Sequence, residues 1–210
     1  MMITWFGQSC FRIEAKEGSI LTDPFSKDIG LKPPRIKDDI ITVSHQHFDH
    51  NNVGEANPEA FIIQNPGEYE KQGIAVRGIA SFHDNKQGVE RGPNTIYVFK
   101  AEDMTVAHLG DLGHVLTDAQ IEAVGDVDMV LIPVGGTYTI DAKTAAQVIG
   151  QIEPKIIVPM HYKVPGLNVD LDGPEKFIKE MGLTPEKTDK FKITKKLLPA
   201  EEMKLVIFSF

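Results

Sequence analysis

Apolar residues in the first half of the chain fall in short runs that alternate with turn residues. Clusters of Gly, Pro, Asn and Asp separate the runs, which is typical of strands in a sheet-rich fold. A last apolar run at the C-terminus has the same character. The predicted strands are Ile3–Phe6, Cys10–Glu14, Ser19–Thr22, Ile40–Val43, Phe61–Gln64, Ile74–Phe82, Thr95–Lys100 and Met203–Phe210.

The second half of the chain adds three predicted helices. Thr117 opens the first with a capping box, and Asp141 caps a second whose apolar positions share one face. Pro174 lies in the first turn of the third helix, and Gly182 ends it. Strands followed by alternating strands and helices favour an α/β fold. We therefore expect residues 1–210 to form one domain, an α/β sandwich with two sheets packed face to face and helices outside.

Composition and charge exclude several classes of protein. The chain is 41% hydrophobic and 25% charged, as is typical of globular proteins. Its net charge of −8 disfavours a nucleic-acid partner, because phosphate contacts need a basic surface. No run approaches the roughly 18 apolar residues of a membrane span, and the N-terminus lacks a signal-peptide pattern. The single cysteine, Cys10, cannot form an intrachain disulfide, so we expect a cytoplasmic protein. A monomer and a homo-oligomer are both compatible with the sequence.

Residues that commonly bind metals follow four of the apolar runs directly. His45, His83, Asp111 and His161 each come at or just after the end of such a run. Strand ends that share one edge of a layered fold bring their loops together. We therefore expect these four side chains to converge on one crevice.

The hexapeptide His45-Gln46-His47-Phe48-Asp49-His50 places four potential metal ligands within six residues. Neutral imidazoles suit zinc, iron and manganese, and a carboxylate can complete or bridge a second site. In an extended segment His45 and His47 project to the same side and can hold one ion, while Asp49 and His50 face a neighbouring ion after the turn. A polar loop with clustered histidines is the alternative. Three of the seven histidines within six positions after a strand favour the metal interpretation.

The pattern H-x-H-x-D-H, followed by His83, Asp111 and His161, resembles the metallo-β-lactamase-fold hydrolase superfamily over nearly the whole chain. Asp111 lies in His-Leu-Gly-Asp-Leu-Gly-His and His161 in Pro-Met-His-Tyr. Further strings resemble the branch that includes ascorbate-6-phosphate lactonase-like and N-acylphosphatidylethanolamine phospholipase D-like enzymes. These strings are Ile3–Gly7, Leu21–Phe25 and Ile132–Thr139.

This resemblance implies the metallo-β-lactamase fold, a four-layer αββα sandwich of two mixed sheets flanked by helices. It also implies a site with two divalent ions, of which zinc is the first choice and manganese or iron the alternatives. A hydroxide held between ions about 3.5–4 Å apart would attack the substrate. Asp49 and Asp111 would be the catalytic carboxylates. The implied ligands are His45, His47 and His83 for the first metal, Asp49, His50 and His161 for the second, and Asp111 bridging both.

The resulting hypothesis is a metal-dependent hydrolase that cleaves an ester, lactone or phosphodiester bond in a small molecule. One alternative is a nuclease-type phosphodiesterase acting on RNA, which would be expected to carry an RNA-binding insertion or a basic arm. Another is a metal-binding protein without catalysis. A redox protein similar to the diiron flavoproteins would carry a carboxylate at His47 and an added flavin domain, and this chain has neither.

Four further residues are candidate substrate contacts. Arg91 and Asn94 follow His83 and could contact an anionic substrate, with a solvated hairpin loop as the competing interpretation. Tyr138, like Tyr162, could donate to a developing oxyanion, although tyrosines near strand ends are commonly packed with the hydroxyl at the rim. His114 could reach the substrate.

Several other residues are predicted to support the site or to lie apart from it. His108 is expected to support Asp111 or to pack in the core. Gln8 stands where the resembling proteins commonly carry His, which puts one supporting contact in doubt. Asp23 could cap a turn or orient a histidine. The Lys-rich segment 185–196 is predicted to be solvated surface.

Overall fold

The computed structural model describes residues 1–210 and contains two β-sheets and three α-helices. The helices are α1 (Asp118–Val124), α2 (Ala142–Ile152) and α3 (Glu175–Met181). The strands are β1 (Met2–Trp5), β2 (Phe11–Glu14), β3 (Ser19–Thr22), β4 (Ile40–Thr42), β5 (Phe61–Ile63), β6 (Gly67–Lys71), β7 (Ile74–Phe82), β8 (Pro93–Ala101), β9 (Met104–His108), β10 (Met129–Pro133), β11 (Ile156–Met160), β12 (Glu186–Thr188), β13 (Phe191–Lys192) and β14 (Lys204–Phe208).

Both sheets mix parallel and antiparallel pairs. The six-stranded sheet has the order β13-β1-β2-β3-β4-β5, and its parallel part is β3-β4-β5. The eight-stranded sheet has the order β12-β14-β11-β10-β9-β8-β7-β6; it is parallel from β12 to β9 and antiparallel from β9 to β6. The predicted mixed α/β class with two mixed sheets is confirmed.

The helices cover the parallel part of the eight-stranded sheet. They lie in the connections between the parallel neighbours β9, β10, β11 and β14, and right-handed crossovers place such connections on one face. The helix α2 packs against α1 and α3, and α1 also packs against β7 in the antiparallel part of the same sheet. Every residue of β10 and β11 is buried, as expected for strands covered on both faces. None of the helices is long and apolar enough to cross a membrane.

Tyr97 on β8 joins the two sheets through its hydroxyl. The side chain is fully buried, and the hydroxyl lies 3.0 Å from the carbonyl oxygen of Val43 and 3.3 Å from that of Ile63. Val43 directly follows β4, and Ile63 is the last residue of β5; both strands belong to the other sheet. The contact therefore fixes the strand end from which the hexapeptide begins.

We expect Tyr97→Phe to reduce the free energy of unfolding by about 1 kcal/mol, because it removes a buried hydrogen bond while keeping the ring. Urea unfolding measures the change. Tyr69→Phe is the matched control, since the Tyr69 hydroxyl bonds to the carbonyl of Asn65 in an exposed loop. Equal losses in the two variants would contradict a bracing role for Tyr97.

The strands β6, β12 and β13 are among those that lie outside the predicted runs. Two of them fall within the Lys-rich segment 185–196, where the lysine side chains are exposed as predicted. The same segment also contributes Phe191 and Ile193 to the core. The prediction of solvated surface therefore holds for the lysine side chains but not for Phe191 and Ile193, which are buried. Charged residues are common on edge strands, where they discourage pairing with other chains.

Candidate metal centre

The predicted ligand residues come together at one end of the two sheets. His45 follows β4 of the six-stranded sheet, whereas His83, Asp111 and His161 follow β7, β9 and β11 of the eight-stranded sheet. All four are buried. The expectation that four strand ends converge on one site is confirmed.

One carboxylate oxygen of Asp111 lies at the centre of this cluster. Four histidine rings from three segments point a nitrogen at it. The distances from Asp111 Oδ2 are 3.1 Å to His161 Nε2, 3.2 Å to His83 Nε2, 3.4 Å to His50 Nε2 and 3.9 Å to His45 Nε2. This central position fits a carboxylate shared between two neighbouring sites.

Asp111 forms one group with His45 and His50, and this group links two further groups of potential ligand atoms. In each group the potential ligand atoms lie within 4.8 Å of one another. His45 Nε2 is 3.0 Å from His47 Nδ1, and His50 Nε2 is 3.5 Å from Asp49 Oδ2. The two further groups are His45, His47 and His83, and Asp49, His50 and His161. They correspond to the two ligand sets implied by the resemblance.

Asp23 and Ser44 orient two of the histidines. Ser44 Oγ donates to Asp23 Oδ2 at 2.6 Å, so the His45 Nδ1–H must donate to Ser44 Oγ at 3.0 Å. His50 Nδ1 lies 3.0 Å from Asp23 Oδ2 and also donates, because a carboxylate only accepts. In both rings Nε2 is therefore the atom available to a metal. The expectation that Asp23 orients a histidine is confirmed, and Ser44 is a supporting residue that the sequence did not indicate.

Asn94 and Ser9 hold Asp111 in place. Asn94 Oδ1 accepts from the Asp111 backbone N–H at 2.9 Å, and Ser9 Oγ donates to Asp111 Oδ1 at 3.2 Å. The Asn94 amide nitrogen is occupied by Ser81 Oγ and the Leu109 carbonyl. Asn94 is 1% exposed, so the structure places this candidate substrate contact beneath the cluster.

Gln8 contacts the second group of ligands. Its Nε2 donates to Asp49 Oδ2 at 2.9 Å and lies 3.5 Å from His161 Nε2. The backbone carbonyl of Gln8 accepts from the backbone N–H of His161 at 3.1 Å. Gln8 therefore makes a supporting contact to the ligand residues, although histidine is common at this position in the proteins that the sequence resembles.

His108 supports the site indirectly. Its Nε2 donates to the Ser9 carbonyl at 2.8 Å, and its Nδ1 accepts from the Gly110 N–H at 3.3 Å. Gly110 has φ +56°, and a Cβ there would collide with Asn94 and Ser44. His108 thus fixes the two segments that flank Asp111 without contacting Asp111 itself.

A cavity of about 580 Å³ opens over the cluster. Five of the ligand residues line it, together with Arg91, Tyr138 and the loop 168–170. His114 does not line it: Nδ1–H donates to the Val115 carbonyl at 2.7 Å, and Nε2 accepts from the Phe82 N–H at 3.2 Å. Tyr162 also lies outside this cavity and is buried, with no partner for its hydroxyl. Of the candidate substrate contacts, the structure brings Arg91 and Tyr138 to the cavity.

Electrostatics at the cluster favour a bound cation. Burial together with the neighbouring His50 lowers the pKa of His45 to about 3, so this imidazole is neutral at physiological pH. Burial opposes ionisation of Asp111, but His161 and His50 hold the pKa of its carboxyl well below the usual range. Burial alone would lower the pKa of His50, yet Asp111 and Asp49 hold it well above the usual value. The carboxylates thus draw positive charge to the centre of the cluster.

The residues present fit a pair of metal ions. Five imidazoles and two carboxylates are the donors that zinc, iron and manganese accept. His50 Nε2 is buried without a hydrogen-bond partner although it faces both Asp49 and Asp111. A cation between these groups would satisfy that nitrogen and compensate the buried carboxylates.

Asp84 organises the loop that follows His83. Its Oδ1 accepts from the backbone N–H groups of Lys86 and Gly88, and its Oδ2 accepts from those of Glu90 and Arg91, all at 2.8–2.9 Å. Burial opposes ionisation of this carboxyl, but the four backbone donors outweigh it and lower the pKa to about 2. This role could not be predicted from the residue type, because Asp is common in ordinary turns.

We expect Asp84→Asn to destabilise the metal-free protein most above pH 5. The folded pKa of about 2 lies below the unfolded value of about 3.9, so the carboxylate stabilises the fold above the unfolded pKa. This contribution is lost as the pH falls toward 2. Urea unfolding of both proteins at pH 7, 5, 3.5 and 2.5 should show curves that converge in acid. A constant difference would contradict the assignment.

The comparisons with known proteins agree with this fold. Residues 2–161 match the family model of the β-lactamase superfamily domain. The chain therefore belongs to this superfamily. It is 30% identical to the UPF0173 metal-dependent hydrolase of Pyrococcus abyssi, with 97% of this chain and 99% of the relative covered. It is 32% identical to a UPF0173 protein of Pyrococcus furiosus, with 86% and 90% covered.

A solved structure extends the comparison to three dimensions. A Thermotoga maritima protein assigned to the Zn-dependent hydrolases of the metallo-β-lactamase superfamily superposes with a TM-score of 0.82. The two sequences are 38% identical, and the match covers 99% of this chain and 97% of that one. The superfamily resemblance stated from the sequence is confirmed.

Proposed function

We propose that this metal-dependent hydrolase of the metallo-β-lactamase superfamily uses two divalent cations to cleave an ester, lactone or phosphodiester bond in a small molecule. Zinc is the proposed metal, with manganese and iron as alternatives. Residues 1–210 would act as one domain, because the ligands come from both sheets. A cytoplasmic location accompanies the proposal, in keeping with a single, buried, unpaired cysteine.

The observation that carries the proposal is the position of Asp111 Oδ2 between two groups of ligand atoms. His45, His47 and His83 would hold one cation, Asp49, His50 and His161 the other, and Asp111 would contact both. When bound, two such ions supply an activated water and polarise the bond to be cleaved. The chain's own contribution is to fix this geometry through Asp23, Ser44 and Asn94, whose hydrogen bonds hold the ligands before substrate arrives.

Asp49 and Asp111 are the proposed catalytic carboxylates. Gln8 donates to the same Asp49 oxygen that faces His50, so it limits how that carboxylate can rotate. In this arrangement Asp49 can also hold a proton of the attacking water or pass it to the leaving group. Tyr138 and Arg91, on the cavity wall, are proposed to contact the substrate.

A small-molecule substrate agrees with the size and charge of the cavity. Its volume of about 580 Å³ is within the range of about 300–1,000 Å³ usual for small-ligand sites. Arg91 is the one arginine or lysine among the residues that line it, and the chain carries a net charge of −8. Neither feature favours an RNA backbone, which needs several cationic contacts.

Metal analysis combined with a substrate panel tests the proposal. Protein dialysed against zinc or manganese should hold about two ions per chain and should hydrolyse at least one member of a panel of carboxylic esters, lactones and phosphodiesters. His45→Ala is the negative control. One ion or none per chain would contradict the paired site, and turnover no greater than that of His45→Ala across the panel would contradict catalysis.

A further inference from the structure

Arg91 is a cation without a carboxylate partner on the wall of the candidate active site. Its side chain is half-buried, it lines the cavity above the ligand cluster, and it forms no salt bridge. By contrast, Arg12 pairs with Asp38 at 2.7 Å and Arg77 pairs with Glu68 at 3.4 Å. Partial burial of a guanidinium is unfavourable unless its donors find acceptors. In Arg91 those donors remain free for a ligand.

The acidic residues near Arg91 leave its charge uncompensated. Glu90 is adjacent in sequence and also lines the cavity, but its carboxylate pairs with Lys86 at 2.6 Å. Asp170, on the opposing loop, is exposed, so water and salt screen its charge. The positive charge of Arg91 is therefore available to attract an anionic ligand in the cavity.

Aromatic surface lies beside the guanidinium. Arg91 Cζ is 5.9 Å from the centre of the Tyr138 ring, and Tyr138 is 42% exposed. A guanidinium beside an aromatic ring keeps its in-plane N–H donors available. Phe48, which is 65% exposed, lines the same cavity. An anion-binding group thus stands next to apolar surface that could hold the carbon skeleton of a ligand.

Arg91 is held in a defined position relative to the metal ligands. Its backbone N–H donates to Asp84 Oδ2 at 2.8 Å, and Asp84 directly follows the ligand His83. A Cβ at Gly113 would collide with the backbone of His83 and Asp84, so a second loop packs closely against this segment. This fixed loop reduces the ordering cost of binding a ligand group at Arg91.

We propose that Arg91 forms an anion subsite and that the substrate therefore carries a carboxylate or phosphate group outside the bond that is cleaved. The guanidinium fork can bind either group through two parallel hydrogen bonds. The inference rests on the proposed function, because it names the substrate class of the same site. Arg91 binds and positions the substrate and takes no part in proton transfer.

A binding experiment tests the subsite independently of catalysis. Zinc-loaded protein is titrated with glutarate, with glycerol 3-phosphate and with neutral glutaramide by calorimetry, using wild type, Arg91→Met and Arg77→Met. Arg77→Met matches the charge change but lies in an exposed pair with Glu68. We expect Arg91→Met to weaken binding of at least one anion roughly 10- to 100-fold. Arg77→Met should leave it unchanged, and glutaramide should bind weakly to all three proteins.

The anion whose affinity falls in Arg91→Met identifies the ligand group as a carboxylate or a phosphate. A wild type that binds neither anion, or equal affinities in Arg91→Met and wild type, would overturn the subsite. These outcomes are separate from failure of the proposed function, which is measured by metal content and turnover.

A kinetic experiment adds the positioning readout. The 4-nitrophenyl monoester of glutaric acid and 4-nitrophenyl butyrate share the same scissile ester, and only the first carries a second, anionic group. We expect Arg91→Met to raise KM for the glutarate ester with little change in kcat, and to raise KM for the butyrate ester much less. Arg91→Lys should raise KM for the glutarate ester less than Arg91→Met does, because a lysine keeps the charge without the planar pair of donors. An equal loss for both esters would overturn the proposal.

Discussion

Asp111→Asn is expected to reduce kcat/KM at least about 10³-fold, because a metal ion supplies several kcal/mol of transition-state stabilisation and each 1.4 kcal/mol is worth about tenfold. Asp111 Oδ2 lies 3.1–3.9 Å from four histidine nitrogens, so one atom faces both ligand groups. Asparagine keeps the shape but removes the negative charge, and its amide nitrogen cannot bind a metal. The metal content should fall from about two ions per chain to one or fewer.

Elemental analysis and steady-state kinetics measure both effects, and circular dichroism confirms that the variant is folded. Asp128→Asn is the matched control. Asp128 is also a buried carboxylate, but it accepts from the Thr105 N–H and pairs with Lys195 at 2.8 Å, away from the cluster. Asp128→Asn should keep its metal and its activity. Two ions per chain in Asp111→Asn would show that the carboxylate is not shared between the sites.

The ligand cluster was predictable because its residues carry their chemistry in their side chains. Histidines within a hexapeptide, and a His or Asp at the end of an apolar run, indicate a metal site even before the strands are paired. The rule that strand ends meet at one edge predicted that His83, Asp111 and His161 converge, and the superfamily resemblance assigned them as ligands. The structure brings all of them to one cluster, which is the part of the candidate site that the sequence specified best.

The supporting residues were less predictable because their roles depend on contacts between distant segments. Ser9 reaches Asp111 across 102 positions, and Ser44 acts through Asp23, 21 residues earlier. Serine and asparagine are also common in turns, so their residue types alone indicate little. Asn94 shows the consequence: an amide predicted to contact substrate instead holds the backbone of Asp111.

The same limit applies to the fold. Apolar runs such as those that end before His83 and His161 predicted strands, because burial on one or both faces requires apolar side chains. The edge strands β6, β12 and β13 have two to five residues and are rich in charged side chains. Their pairing is fixed by the neighbouring strand, a tertiary contact that local sequence does not encode.

Asp23→Asn is expected to lower metal affinity about 10- to 100-fold, as is usual when a residue that orients a metal-binding histidine is lost. Asp23 Oδ1 accepts from the Ser44 N–H, and Oδ2 accepts from Ser44 Oγ and His50 Nδ1. An asparagine has one acceptor and one donor at these places. In either orientation its NH₂ faces an N–H donor of Ser44 or His50, unless the His50 ring changes tautomer.

The change of tautomer is what weakens the site. The raised pKa of His50 leaves the ring of the metal-free wild type protonated on both nitrogens. If Nδ1 accepts from the new amide, the ring keeps its proton on Nε2 alone, the atom that faces Asp49 and Asp111. A cation must then displace that proton and break the new hydrogen bond. Nitrogen NMR of the metal-free variant should detect the Nε2–H form, and competition with a chelator should measure the loss of affinity.

Asp38→Asn separates this effect from a general loss of stability. Asp38 is 1% exposed and accepts two hydrogen bonds from Arg12, so its replacement also removes a buried charged pair. We expect Asp38→Asn to lower the free energy of unfolding while metal affinity stays at the wild-type value. Equal losses of affinity in the two variants would mean that Asp23 acts through the stability of the fold. An unchanged affinity in Asp23→Asn would mean that the orientation of His50 does not limit metal binding, because the cation itself would then select the ring tautomer.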